Sequence, residues 1–313
     1  LRQQLIWKSH MNPLRRIFIK AASIGYDLLK PTLFREDAQT AHARFTQWLE
    51  HADHNPFLYN PAGVLHDLST SATEATIGDT RLQHSMILAA GLVKGHGYTN
   101  ETEALLAVQN GVNIIPGWRT MPRLAGLVEF GSYTRQPRMG NDGLVMWRDD
   151  VTRSTQNRVG LKNPGATAAA TFLQNNILDL PYQFGINIAP SPGIEDDQQD
   201  IQDVVDCIEA FLERDVVPNW FTLNLSCPNT EDDPTGKQIE DKTRTMCEAV
   251  IAQIASNNYR VPLWVKVSPN LADSQYQLLM RVFAEVGVQA VIATNTLGKP
   301  APHNHTLTAG IGG

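Results

Sequence analysis

From about residue 80 onward the chain alternates short apolar runs with helical stretches, six times over. The runs are Met86–Ala90, Leu127–Tyr133, Phe184–Ala189, Trp220–Ser226, Leu263–Ser268 and Ala290–Thr294. Several are apolar at consecutive positions and rich in β-branched or aromatic residues. That pattern suits strands buried on both faces of a parallel sheet. Helix signals separate them: Asn100 with Glu103 as a capping-box pair, Asn163-Pro164 opening an Ala-rich segment to Leu173, then Gln198–Leu212, Ile239–Ala255, and Ser274–Val286 behind Asp273 as N-cap. Strict alternation implies parallel strands with right-handed crossovers. A doubly wound sheet and a (β/α)8 barrel both satisfy it, and the strand tails separate them. Nearly every run ends in polar, Gly or Pro residues, as in Gly91-Leu92-Val93-Lys94, Gly131-Ser132-Tyr133-Thr134 and Asn224-Leu225-Ser226-Cys227-Pro228-Asn229. Chemistry spread over many strand ends is the barrel's habit, whereas a doubly wound sheet gathers it at one switch point. The expected fold is α/β, a (β/α)8 TIM barrel with six of eight strand units present and an N-terminal helical extension.

The extension is expected over residues 1–55, and the barrel over 56–313. A helix is predicted over about Pro13–Leu29, with Leu14, Ile17, Phe18, Ala21, Ile24 and Leu28 at helical spacing and Arg15, Arg16 and Lys20 in its first half. A basic amphipathic helix lies on an anionic membrane surface or packs on its own domain with a solvated basic face. A second helix is predicted over Asp37–His51, and Asn55–Asp67, with Pro56, Pro61 and Gly63, reads as a loop.

Composition narrows the class of function. The formal net charge of −6, from 26 basic and 32 acidic residues, argues against a general nucleic-acid binder. Cys207, Cys227 and Cys247 show no short metal-type pairing and read as free thiols in a reducing compartment. The pairs His51/His54 and His303/His305 lack a third ligand at suitable spacing, so no metal site is expected. No apolar stretch is long enough for a membrane span, and none has the form of a signal peptide.

Two strand tails carry the chemistry. Asn224 and Ser226 point to one side, toward the barrel mouth, and Asn229 follows the turn at Pro228. Amides on both sides of a thiol suit a planar ligand rich in carbonyl and N–H groups. Cys227, with an ordinary thiol pKa of about 8.5, reads as a proton-transfer group or as a buried structural thiol. Lys266 lies inside the apolar run Trp264-Val265-Lys266-Val267 and needs an anionic partner, which a ligand can supply. Lys94 sits among glycines that let backbone approach a ligand, though the run is neither a dinucleotide nor a P-loop motif. Asn157, Asn187 and Asn295 join the same set at or after strand ends.

Asn224-Leu225-Ser226-Cys227-Pro228-Asn229, Lys266-Val267-Ser268-Pro269-Asn270 and Ile292-Ala293-Thr294-Asn295-Thr296 closely resemble the strand-end motifs of dihydroorotate dehydrogenases. Ala89-Ala90-Gly91 with Lys94, Gly131-Ser132-Tyr133-Thr134 and Gly185-Ile186-Asn187-Ile188 match in the same order, and the resemblance spans about residues 13 to 313. It implies an FMN barrel that oxidises dihydroorotate to orotate in pyrimidine synthesis. By resemblance, Cys227 is the base that removes the C5 proton. Lys94, Asn157, Asn224, Asn229, Asn295 and Thr296 hold the substrate. Ala89, Ala90, Gly91, Ser132, Asn187, Asn224, Lys266 and Thr294 contact FMN, Lys266 also serving catalysis by stabilising the reduced flavin. The N-terminal part looks like that of the membrane-associated, quinone-reducing class, which implies a cytoplasmic protein peripheral on the inner membrane face. That class usually has Ser at the base position, whereas Cys227 matches the soluble class. Another FMN barrel acting on a dihydropyrimidine, or a barrel without catalysis, are the alternative readings.

Six strand units over residues 80 to 313 fall short of the eight that close a barrel. The chain is therefore expected to be a segment of a longer one. Its open parallel edges, and the absence of the loops after strands seven and eight, imply that it does not retain FMN by itself.

Overall fold

A computed structural model describes residues 13–69, 74–225, 237–302 and 304–312. Its centre is a six-stranded parallel sheet in the order β10-β9-β8-β7-β4-β3. The strands are β3 (Ile87–Leu88), β4 (Leu127–Tyr133), β7 (Phe184–Ile188), β8 (Trp220–Asn224), β9 (Leu263–Val267) and β10 (Ala290–Ala293). They fall on the six apolar runs, each neighbour in sequence being a neighbour in space. Between them run α4 (Glu101–Gln109), α5 (Thr120–Ala125), α6 (Ala166–Asn175), α7 (Asp197–Leu212), α8 (Lys237–Ser256) and α9 (Asp273–Val286).

Alternation along each strand divides the apolar residues between two cores. Val128, Phe130, Ile186, Ile188, Phe221, Leu223, Val265 and Val267 face the helices and pack with Leu173, Val204, Ile208, Phe211, Val250 and Phe283. Each such side chain contributes about 1.5–3 kcal/mol by burial, so this layer outweighs any single polar contact. The other face carries a smaller cluster of Leu82, Leu127, Trp220 and Trp264. The two indoles stack with centroids 4.7 Å apart. A side chain at position 185 would overlap the Trp220 ring, so only Gly185 lets that indole cross β7. Leu82 comes from a hairpin of β1 (Ala75–Ile77) and β2 (Thr80–Leu82).

Three helix starts differ from the sequence expectation. Asn55–Asp67 is not a loop: α3 spans Pro56–Ser69, with Asn55 Oδ1 accepting the Phe57 amide at 3.0 Å. Pro56 occupies the first turn, where no N–H is needed, and the missing donor at Pro61 costs one helical bond without ending the helix. The Ala-rich helix begins at Ala166, behind Gly165 at φ 81°, so Asn163-Pro164 lies just outside it. Buried Asn163 instead closes the preceding turn, accepting the Gly165 amide at 2.8 Å. Asp273 lies inside α9, and Ala272 is its N-cap. The Ala272 amide donates to the Gln275 side chain at 2.9 Å.

Ahead of the barrel lie α1 (Pro13–Leu33), α2 (Ala38–Asp53) and α3. Asp37 caps α2, accepting the Thr40 amide at 2.9 Å. Asp53, the last residue of α2, is 1% exposed. An acid at a helix carboxyl end opposes the helix dipole. Its reason is tertiary: it accepts from the amides of Gly117 at 2.6 Å and Thr120 at 2.9 Å, and from Asn113 Nδ2 at 2.9 Å. The acid thus fastens the extension to the start of α5, a helix with no side-chain cap of its own.

Beyond the parallel sheet, β5 (Met146–Asp149) and β6 (Ser154–Asn157) form a hairpin in the excursion after β4. A second hairpin, β11 (Leu297–Ala301) and β12 (Asn304–Gly312), pairs onto it, β12 against β6, to give four antiparallel strands. None of these four was legible in the sequence.

Candidate active site

The carboxyl ends of the parallel strands place most of the predicted site residues together. Register sets Asn224 beside Lys266 and Lys266 beside Ile292 on adjacent strands. Asn224 is 7% exposed, and its Nδ2 donates to Ser132 Oγ at 3.2 Å. Its Oδ1 accepts from Asn295 Nδ2, also at 3.2 Å. Asn295 Oδ1 in turn accepts the Thr296 amide at 2.8 Å, and Thr294 Oγ1 donates to the Asn295 carbonyl at 2.9 Å. Ser132, Asn224, Asn295, Thr294 and Thr296 are thus one chain of polar contacts drawn from β4, β8 and the end of β10. Lys266 makes no ion pair among the described residues.

Asn187 on β7 is fully buried. Its Nδ2 donates to Glu129 Oε1 at 2.7 Å, while its Oδ1 is buried without a partner. Ala89, Ala90 and Gly91 follow directly on β3, where Gly91, at φ 130°, has no atom within 4 Å of the place a side chain would occupy. Asn157 arrives by a different route. It ends β6 and pairs with Gly310 of β12, against which the Thr296 side chain packs. The antiparallel sheet, not the barrel strand, brings Asn157 to Thr296. Cys227 and Asn229 lie outside the described residues.

Lys94 has a neighbour the sequence did not suggest. The loop after β3 packs on the loop after β6. A side chain at Gly95 would collide with Pro164, and one at Gly97 would crowd the Lys162 side chain. Burial, helped by the charge of Lys162, lowers the Lys94 ammonium from its ordinary value to about 8. Neither lysine has an ion pair among the described residues. His42 on α2 and His96 are also held below the usual imidazole range, first by burial. In His42 both lysines add to the effect, and in His96 Lys162 does, partly offset by Glu50. Two lysines close together, neither in an ion pair among the described residues, suit an anionic ligand.

Glu129 is the other residue that sequence reasoning missed, although the signal that marked Lys266, a charge inside an apolar strand, was present in Leu127-Val128-Glu129-Phe130. The two described cysteines, Cys207 and Cys247, are free and buried, and burial raises both thiols, the latter to about 12. They are poor candidates for proton transfer. Among the described residues no group of three or more His, Cys, Asp or Glu is placed to hold a metal ion.

Comparison with known proteins identifies relatives of the chain. The family model for dihydroorotate dehydrogenase matches residues 117–312. A dihydroorotate dehydrogenase (quinone) of Haloarcula marismortui is 29% identical over 273 residues, which cover 87% of this chain and 69% of the relative. One of Chromobacterium violaceum is 27% identical over 297 residues, covering 92% and 76%. The dihydroorotate dehydrogenase of Eimeria tenella solved with ferulenol superposes with a TM-score of 0.66 at 21% identity, over 91% of this chain and 75% of that one. That likeness speaks for the fold, a TIM barrel. With the family model matching well over half of its length, the chain belongs to the dihydroorotate dehydrogenase family.

Proposed function

We propose that the protein oxidises dihydroorotate to orotate with FMN as its redox group and hands the electrons to a quinone. One observation carries most of this reading: Ser132, Asn187, Asn224, Asn295 and Lys266 converge at the strand ends in a chain of this family. The residues fit a flavin. Asn187 Oδ1 is a buried acceptor without a partner, Gly91 leaves open space beside the backbone, and Lys266 is a cation awaiting an electron-rich neighbour. Ala89, Ala90, Gly91, Ser132, Asn187, Asn224, Lys266 and Thr294 would hold it. FMN, when bound, supplies the hydride acceptor.

The chain's own residues do the rest. Lys94, Asn157, Asn224, Asn229, Asn295 and Thr296 bind the substrate's carboxylate and ring edges, each amide offering both donors and an acceptor. Cys227 takes the C5 proton. The test is optical: with full-length protein supplied with FMN, anaerobic dihydroorotate is expected to bleach the flavin and a soluble quinone to restore its colour. Flavin that stays oxidised in the presence of dihydroorotate sinks this reading.

Lys94 gives the site a pH limit. Near pH 7 its ammonium is charged, and above about pH 8 it loses that charge, together with its hold on a carboxylate. KM for dihydroorotate is expected to rise roughly tenfold per pH unit above that point. Lys162→Gln, by removing the like charge, moves the break to higher pH. A KM that is flat up to pH 9.5 would remove Lys94 from substrate binding.

The quinone reading extends to the membrane. Ile17, Ile24, Leu28 and Leu29 of α1 and Phe57 and Leu65 of α3 are exposed, beside exposed Arg16 and Lys20. Among the described residues no helix is long and apolar enough to cross a membrane. Such a surface supports peripheral docking on anionic lipid.

A further inference from the structure

Glu129 is 2% exposed and faces the interior of the barrel, where the mechanism proposed above gives it no task. Its Oε1 accepts from Asn187 Nδ2 at 2.7 Å. Its Oε2 accepts from Thr222 Oγ1 at 2.6 Å and Trp220 Nε1 at 3.1 Å. Trp220 and Thr222 are fully buried, so the carboxylate is clamped and cannot turn. Every one of these partners is a donor, and an ionised carboxylate only accepts. That fixes the polarity of Asn187. An amide has a donor end and an acceptor end, and Glu129 can hold only the donor end.

Register shows where the other end goes. Glu129 pairs with Gly185, and Asn187 lies two residues further toward the carboxyl end of β7. The NH2 of Asn187 is therefore turned back to Glu129, whose other oxygen Thr222 and Trp220 hold. Its Oδ1, at the opposite end of the amide, is buried and without a partner, and the next residues toward the carboxyl ends of the neighbouring strands are Ser132, Asn224 and Lys266. We propose that Glu129 is a positioning residue: it locks the Asn187 amide so that the site presents a carbonyl acceptor and selects a cofactor whose ring edge offers an N–H. This rests on the flavin reading above and adds to it the residue that sets its edge specificity. A buried acceptor left unpaired is costly, so a ligand that lacks the matching donor is rejected.

The test is equilibrium binding, read by fluorescence titration of the full-length protein with FMN and with its N3-methyl analogue, which lacks the ring N–H. Wild-type protein is expected to prefer FMN by about 30-fold. In Glu129→Gln the new amide can donate to Asn187 Oδ1, so the Asn187 side chain turns round. FMN binding is then expected to weaken by about tenfold or more, and the preference to shrink to within about threefold. Thr222→Val removes another bond to Glu129 but leaves Asn187 held; it lowers stability and keeps the preference. A folded Glu129→Gln protein with the wild-type preference overturns the positioning role while leaving the flavin reading standing. Wild-type protein that binds neither flavin overturns the flavin reading, and this inference with it. Where Glu129→Gln fails to fold, wild-type protein labelled at its asparagines gives the answer. FMN is expected to shift the Asn187 side-chain carbonyl carbon and leave its NH2 slow to exchange. An NH2 that turns to the ligand overturns the proposal.

Discussion

Asp53→Ala is expected to destabilise the protein by about 3–5 kcal/mol. The substitution leaves three buried donors without their acceptor, the amides of Gly117 and Thr120 and the Asn113 side chain, at about 1–3 kcal/mol each, with partial relief from water. The loss falls on the junction between the extension and the barrel. Around it, Leu49 and Met121 close over Gly117, and the Arg119 guanidinium lies 4.6 Å from the Trp118 ring centroid. Hydrogen exchange in α2 is therefore expected to rise more than in β4 or β7. Asp53→Asn keeps one acceptor but turns an NH2 toward groups that are themselves donors, and should lose about half as much. Urea denaturation measures both. A loss below about 1 kcal/mol in Asp53→Ala would mean that the donors find other acceptors and that the latch is not carried by this carboxylate.

Cys227→Ala is expected to lower turnover with dihydroorotate by about 10²–10⁴-fold while flavin binding stays unchanged, the range a positioned base contributes. The expectation rests on the family pattern and on the company the residue keeps in sequence. Asn224, three residues earlier, is tied to Ser132 and Asn295 and stands in register with Lys266. Cys227→Ser separates a base from a filler. A hydroxyl holds its proton far more tightly than a thiol, so the serine variant should keep part of the rate with its pH dependence moved upward. Anaerobic flavin reduction by dihydroorotate isolates the step. Equal reduction rates in wild-type and Cys227→Ala protein would take Cys227 out of proton transfer.

How much of this was legible in the sequence depends on what each residue answers to. The six parallel strands were, because a strand buried on both faces must be apolar along its length, and Phe184–Ile188 and Leu263–Val267 show it. Lys266 stood out for the same reason, as a charge where none should be. Glu129 carries the identical signal in its apolar run, but the partners that explain it, Asn187, Trp220 and Thr222, lie on strands far away in the chain. Helix α3 was hidden by Pro56 and Pro61, which read as breakers although one sits in a first turn and the other costs a single bond. The hairpins were invisible on physical grounds. Ser154-Thr155-Gln156-Asn157 shows no apolar alternation, and Leu297–Ala301 contains Pro300. Their pairing is set by partners far away in the chain. So is the meeting of Lys94 with Lys162, which depends on glycines that allow two loops to touch.

The pairing of β6 with β12 has a consequence for how the protein comes into being. Asn157 meets its partner at Gly310, far away along the chain. Contacts of such wide separation form slowly, because the intervening chain must be gathered first. On the ribosome, β4, β7 and β8 can pair with one another as they emerge, each beside the one before. The strand that carries Asn157 has to wait until residue 310 has cleared the exit tunnel. The scaffold can thus be laid down early, while the Asn157 side of the pocket is finished only after residue 310 has emerged. A nascent chain stalled short of that point would have its barrel strands in place and no completed binding site to offer.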